Sequence, residues 1–142
     1  MSTSLQGIRR LFCDTSFLYS CLDPDDAWHG RALELATEAV DSEAILSSTW
    51  DVISETITLL CYRKSFHTAL RFLDEVKPTL DIVLYGETIH ALAEETFRLR
   101  GRKRRLSFCD AVSFIVVTTL LDNIPCLSFD EDFQALGLTV IR

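Results

Sequence analysis

The chain has 142 residues, of which 48% are hydrophobic and 25% charged, and its formal net charge is −7. This length suits one domain, residues 1–142, with its own core, and the composition excludes a disordered chain. The acidic balance excludes broad electrostatic binding of nucleic acid by the whole surface.

No apolar run reaches the roughly 20 residues that a membrane span requires. The longest, residues 111–121, is interrupted by Ser113, Thr118 and Thr119. The first ten residues are too polar for a signal peptide. The five cysteines are odd in number and form no Cys-x-x-Cys pair. They read as reduced, buried small hydrophobes of a cytoplasmic protein with no membrane association.

In chain order, residues 9–14 form a short buried strand ended by Asp14-Thr15-Ser16, and residues 17–22 a short helix. Asp23-Pro24-Asp25-Asp26 is a turn, with Asp26 placed to cap the next helix. Residues 44–47 are a second strand. Ser48 and Asp51 have capping-box spacing ahead of a helix that carries Glu55. A helix over 65–76 stops before Pro78, and residues 81–84 form a third strand. The helix over 87–99 is stopped by Gly101. Ser107 and Asp110 repeat the capping-box spacing and open a helix running to about 121. Asn123 turns the chain into a strand over 124–129, one helical turn follows at Phe133 and Leu136, and residues 138–141 form a last strand. Strands alternating with helices predict an α/β fold whose mainly parallel sheet is covered on both faces.

Within this pattern four acids stand out. Asp14 and Asp130 close apolar runs at strand carboxyl ends, where ligands of such folds sit. Asp110 opens a helix and Glu55 lies about two turns into one. Each has a plain structural explanation when taken singly: Asp110 a cap, Asp14 a turn former, Asp130 a cap, Glu55 an exposed helix residue. Yet each has apolar neighbours, a poor setting for an uncompensated charge. Carboxylates that converge are commonly resolved by a bound divalent cation, and carboxylate and water ligands suit Mg²⁺ or Mn²⁺.

The order strand-Asp-Thr-Ser, Ser-Glu-Thr on a helix, Ser-Phe-Cys-Asp-Ala opening a helix and Leu-Ser-Phe-Asp-Glu-Asp-Phe near the end resembles the PIN-domain ribonucleases, particularly the VapC-type toxins of prokaryotic toxin–antitoxin pairs. The resemblance spans nearly the whole chain, including Asp26-Ala-Trp-His29 and the segment from Leu46 to Glu55. It implies a three-layer α/β/α sandwich and a metal-dependent endoribonuclease. By resemblance, Asp14, Glu55, Asp110 and Asp130 are the catalytic and metal-binding acids, with Asp132 able to replace or assist Asp130. Ser16 matches a hydroxyl beside the site. The resemblance also implies an RNA substrate, a small antitoxin partner and a homodimer, for which Phe17, Leu18 and Trp28 are candidate interface residues if they are not core.

Residues 98–105 hold six of the fourteen basic residues. Arg102, Lys103, Arg104 and Arg105 therefore read either as a phosphate-contacting edge leading RNA towards Asp110 or as a solvated loop. Trp28 and Trp50 read as core or interface rather than base-stacking platforms, and His29, His67 and His90 are scattered. A non-catalytic binding module is the alternative reading, and a complete set of acids argues against it. A phosphatase-like domain with Asp14 as nucleophile would need a lysine near the fourth strand, and Lys64, Lys77 and Lys103 are the only lysines.

Overall fold

The computed structural model describes residues 5–142, so the first four residues of the polar N-terminal segment lie outside the described residues. Five parallel strands run in the order β3-β2-β1-β4-β5. They are β1 (Arg10–Cys13), β2 (Ile45–Ser48), β3 (Asp81–Ile82), β4 (Cys126–Leu127) and β5 (Val140–Ile141). Seven helices alternate with them: α1 (Thr15–Leu22), α2 (His29–Asp41), α3 (Trp50–Arg63), α4 (Phe66–Arg71), α5 (Glu87–Arg104), α6 (Phe108–Thr119) and α7 (Glu131–Gln134). The crossovers β1→β2→β3 step one way along the sheet, and β3→β4 steps back past β1. With right-handed connections this puts helices on both faces, the three-layer arrangement expected from the alternation. Phe12, Phe17, Phe72 and Phe133 are fully buried between the layers.

The direction of winding reverses between β1 and β4. Cys13 pairs with Leu127, and the Asp14 amide donates to the Leu127 carbonyl at 3.1 Å. Asp14 and Ser128 therefore leave adjacent strand ends side by side. A crevice outside the strand carboxyl ends at such a reversal is the usual ligand position in an open parallel sheet.

Several local expectations are corrected. Asp26 does not cap α2: Trp28 is the N-cap residue without a side-chain bond, and the Asp26 carboxylate instead accepts the Trp28 amide at 3.0 Å. The cap of α3 is Thr49, one residue later than expected, because Ser48 still belongs to β2, where its hydroxyl donates to the Cys13 carbonyl at 2.9 Å. The helix expected over 65–76 is α4 followed by a π turn, Phe72–Val76, and a 3₁₀ turn, Lys77–Thr79. Strand β3 is shorter than its apolar stretch because only Asp81 and Ile82 face β2 partners.

Gly101 does not stop α5, which continues through the basic run to Arg104 and ends on Arg105 in the left-handed region (φ 50°). Gly101 instead lies against the Phe97 ring, where an added Cβ would stand 3.1 Å from the nearest ring carbon. The five cysteines are free, as expected of reduced thiols, but only Cys13 and Cys126 are fully buried and Cys61 is exposed. Phe17 and Leu18 are core residues, each 1% exposed, and do not form an outer face. No helix among the described residues is long and apolar enough to cross a membrane.

Candidate active site

The end of β1 positions the first acid. Cys13 is buried in the sheet, and Asp14 follows it at the N-cap position of α1, itself only 2% exposed. Its Oδ2 accepts two hydroxyl protons, from Ser16 at 3.0 Å and Ser128 at 2.8 Å. Both serines are in turn held by backbone donors: the Phe129 amide reaches Ser16 Oγ at 2.9 Å and the Asp130 amide reaches Ser128 Oγ at 3.2 Å. Each hydroxyl has one proton and gives it to Asp14. The 3.2 Å approach of the two serine oxygens is therefore a shared acceptor geometry rather than a third hydrogen bond.

Asp110 arrives from the other side on α6. The capping box expected from the sequence is formed: Ser107 Oγ accepts the Asp110 amide at 3.0 Å, and Asp110 Oδ2 accepts the Ser107 amide at 3.3 Å. One oxygen of a carboxylate that is 7% exposed is thus used locally. Asp130 caps α7 through Oδ1, which accepts the Asp132 amide at 2.9 Å. Glu55 projects half-buried from α3.

Asp14, Glu55, Asp110 and Asp130 all line one pocket of about 350 Å³, together with Ser16 and Arg105. Asp132 does not line it, nor do Arg102, Lys103 and Arg104, which are exposed on the last turn of α5. Three residues to which the sequence reading gave no role at the site also border the pocket region. Arg63, at the end of α3, lines it and lies over the Tyr19 ring at 5.3 Å. Ser128 supplies the shortest hydrogen bond to Asp14; its signal in the sequence was a hydroxyl residue two positions before the acid at a strand end. Trp28 lines the pocket in parallel stacking with Phe129. His29 contacts the Ser20 carbonyl and His90 contacts Tyr85, and neither lines the pocket that the four acids share.

The electrostatics are those of charges awaiting a counter-charge. Burial pushes the Asp14 carboxyl up to about 6, against the lowering effect of its hydrogen bonds. Burial, and then the negative charge of Asp14, push Asp110 up to about 7. Among the described residues no Lys or Arg forms an ion pair with Asp14, Glu55, Asp110 or Asp130. Buried carboxylates without a cationic partner are costly unless they are neutralised or bind a metal. The donor set, carboxylate and hydroxyl oxygen only, matches hard Mg²⁺ or Mn²⁺. As placed, no three acidic, His or Cys side chains among the described residues stand close enough to grip one ion between them. The acids share a pocket without forming a finished coordination sphere.

Comparison with known proteins finds relatives of similar fold. No protein-family model matches the chain. A VapC ribonuclease of Archaeoglobus fulgidus is 27% identical over 124 residues, covering 85% of this chain and 77% of that protein. The crystal structure of Mycobacterium tuberculosis VapC20, described as a sarcin-ricin loop cleaving toxin, matches with a TM-score of 0.80 and 28% identity over 93% of this chain and 98% of that one. Over most of its length the chain is similar to VapC-type ribonucleases in both sequence and fold. FitAcB of Neisseria gonorrhoeae has the same fold at 14% identity, with a TM-score of 0.65 over 93% of this chain and 96% of its own. These similarities agree with the resemblance drawn from the four motifs, and the parallel sheet between helix layers is the fold that resemblance implied.

Proposed function

We propose that this chain is a metal-dependent endoribonuclease and the toxin of a toxin–antitoxin pair, with the reversal-point pocket as its active site. The observation that carries the reading is the pair of buried acids, Asp14 and Asp110, facing a common pocket and, among the described residues, in no ion pair with a Lys or Arg. The relationship to VapC ribonucleases supports RNA as the substrate.

Asp14, Glu55, Asp110 and Asp130 would hold Mg²⁺ or Mn²⁺, with Glu55, half-exposed on α3, free to adjust its rotamer. A bound divalent ion supplies Lewis-acid polarisation of the phosphate and acidifies an attacking water. The protein's own contributions follow from the geometry. Ser16 and Ser128 fix the Asp14 carboxylate through one oxygen. The Ser107 capping box does the same for Asp110. Arg63 and Arg105 present guanidinium groups to the phosphates from the pocket wall. Arg102, Lys103 and Arg104 form an outer cationic edge that draws the RNA backbone towards Arg105. Asp132 supports Asp130 through the turn of α7 and does not act as a ligand itself.

An antitoxin would neutralise the same pocket by inserting a basic side chain between the unpaired acids. The protein works in the cytoplasm as a homodimer; free cysteines support the compartment. No observation favours a non-catalytic module. The test is cleavage of a mixed RNA panel with Mg²⁺, with Mn²⁺ and with EDTA, beside the Asp14→Asn variant. Metal-dependent cutting by the parent alone is expected; cutting shared by the variant would sink the proposal.

A further inference from the structure

Three aromatic rings form a column that leads from the core to the rim of the acidic pocket. Phe17, 1% exposed, lies 6.1 Å from Phe129 and tilted by 50°. Phe129, 8% exposed, is stacked on Trp28 at 4.5 Å and 9°. Trp28 ends the column and is 39% exposed. An indole that served only to close the core would be covered on both faces; here Phe129 covers one face, and more than a third of the residue remains in contact with solvent at the pocket.

The mounting is rigid. The Trp28 amide is held by Asp26 Oδ2 at 3.0 Å, Asp26 is held by Ser20 Oγ at 2.7 Å, and the Trp28 carbonyl accepts the Ala32 amide at 2.8 Å in the first turn of α2. Phe129 stands between Ser128 and Asp130, and its amide is fixed by Ser16 Oγ. Phe129 and Asp130 are therefore neighbours on one short segment, and the Ser16 hydrogen bonds tie that segment to Asp14.

The pocket thus offers carboxylates, two guanidinium groups and a pre-oriented aromatic face. These suit the three parts of a nucleotide near a scissile bond: the reacting phosphate, its charged neighbours and a base. We propose that Trp28, backed by Phe129, is the stacking platform for an unpaired nucleobase of the RNA beside the bond to be cut. This rests on the ribonuclease reading and deepens it by assigning the residue that receives a splayed-out base beside the cut. The face is sequence-tolerant because every base has a π surface. Trp28 acts here as a positioning residue, and phosphate binding falls to the arginines.

The test separates base stacking from catalysis. Binding of 5′-labelled decaadenylate is measured by anisotropy in EDTA, beside an abasic ribose-phosphate decamer of equal charge. Trp28→Ala is expected to weaken decaadenylate binding roughly 10- to 100-fold, the usual effect of removing one stacking ring. It should leave abasic binding unchanged. Trp28→Phe should recover most of the loss, and Trp28→Leu, which fills space without a π face, should not. In a Trp50→Phe background the remaining Trp28 fluorescence should be quenched by decaadenylate and not by the abasic decamer. Equal binding of the two oligomers by the parent protein, no binding of decaadenylate, or full binding by a folded Trp28→Leu variant would overturn the proposal. Cleavage with Mn²⁺ is read separately. Stacking without cleavage would remove the nuclease reading and keep the platform; cleavage with unaltered binding in Trp28→Leu would do the reverse.

Discussion

Replacing Asp110 by asparagine is expected to stabilise the metal-free protein. Asparagine is nearly isosteric, and its side-chain oxygen can still accept the Ser107 amide that closes the capping box. What disappears is a carboxylate that is 7% exposed and faces Asp14 without a cation. Its pKa is raised from 3.8 to about 7 by burial first and by the Asp14 charge second. A group whose folded pKa lies above its unfolded value binds more protons in the native state, so its contribution turns unfavourable as pH rises between the two values. The ionised form costs nothing below pH 3.8, on the order of 1–2 kcal/mol at pH 5, and at most about 4 kcal/mol above pH 7. Asp110→Asn should therefore gain up to that amount at pH 8 and much less at pH 5. For a chain of this size that is a rise in Tm on the order of 10 °C at pH 8. Thermal and urea unfolding in EDTA at both pH values measure it. A variant less stable than the parent at pH 8, or a gain that grows towards pH 5, would refute the reasoning.

Saturating Mn²⁺, at about 100 times its Kd, should stabilise the parent by about 2.7 kcal/mol. The Asp14→Asn/Asp110→Asn double variant should not respond, as differential scanning fluorimetry would reveal. Ser128→Ala removes the 2.8 Å hydrogen bond that lowers the Asp14 pKa. NMR titration of the metal-free protein should then place that carboxyl above its present value of about 6. Gly101→Ala exchanges the roughly 1 kcal/mol helix penalty of glycine against a small shift of Phe97, a ring that is 42% exposed and free to give. Urea unfolding should show a change within about 1 kcal/mol of zero; a larger loss would mean that α5 does not run through this position. Arg105→Gly relieves a left-handed residue at φ 50° and should stabilise the fold by about 1 kcal/mol. It should also weaken RNA binding by anisotropy, since Arg105 lines the pocket.

The parts of this fold legible in the sequence were those set by local chemistry. The run ending at Asp14 read as a strand because apolar residues stop abruptly at a polar triplet. The Ser107–Asp110 box read correctly because both of its hydrogen bonds lie within four residues. Gly101 misled because its usual helix-ending role comes from positive φ, whereas here the missing Cβ makes room for Phe97. The actual stop, Arg105 in the left-handed region, carries no residue-type signal. Strand lengths at β3 and β4 depended on how many partners the neighbouring strand offers, which no window of sequence contains. At the site, Asp14, Asp110 and Asp130 could be nominated from their positions at element ends. The meeting of Glu55 and Arg63 with them depends on how α3 lies over the sheet edge. Ser128 was visible as a residue but not as a partner, because its hydrogen bond to Asp14 spans 114 positions.

The account's central claim is that the acids which burden the metal-free fold are the ones that hold the catalytic ion. The most direct measurement is RNA cleavage by the parent, Asp14→Asn and Asp110→Asn proteins side by side, with Mn²⁺ and with EDTA, on samples whose stabilities have been determined. The account predicts Mn²⁺-dependent cleavage by the parent alone, and an Asp110→Asn protein that is more stable at pH 8 yet inactive. Cleavage by Asp110→Asn at the parent's rate, or parent cleavage that survives EDTA, would contradict it.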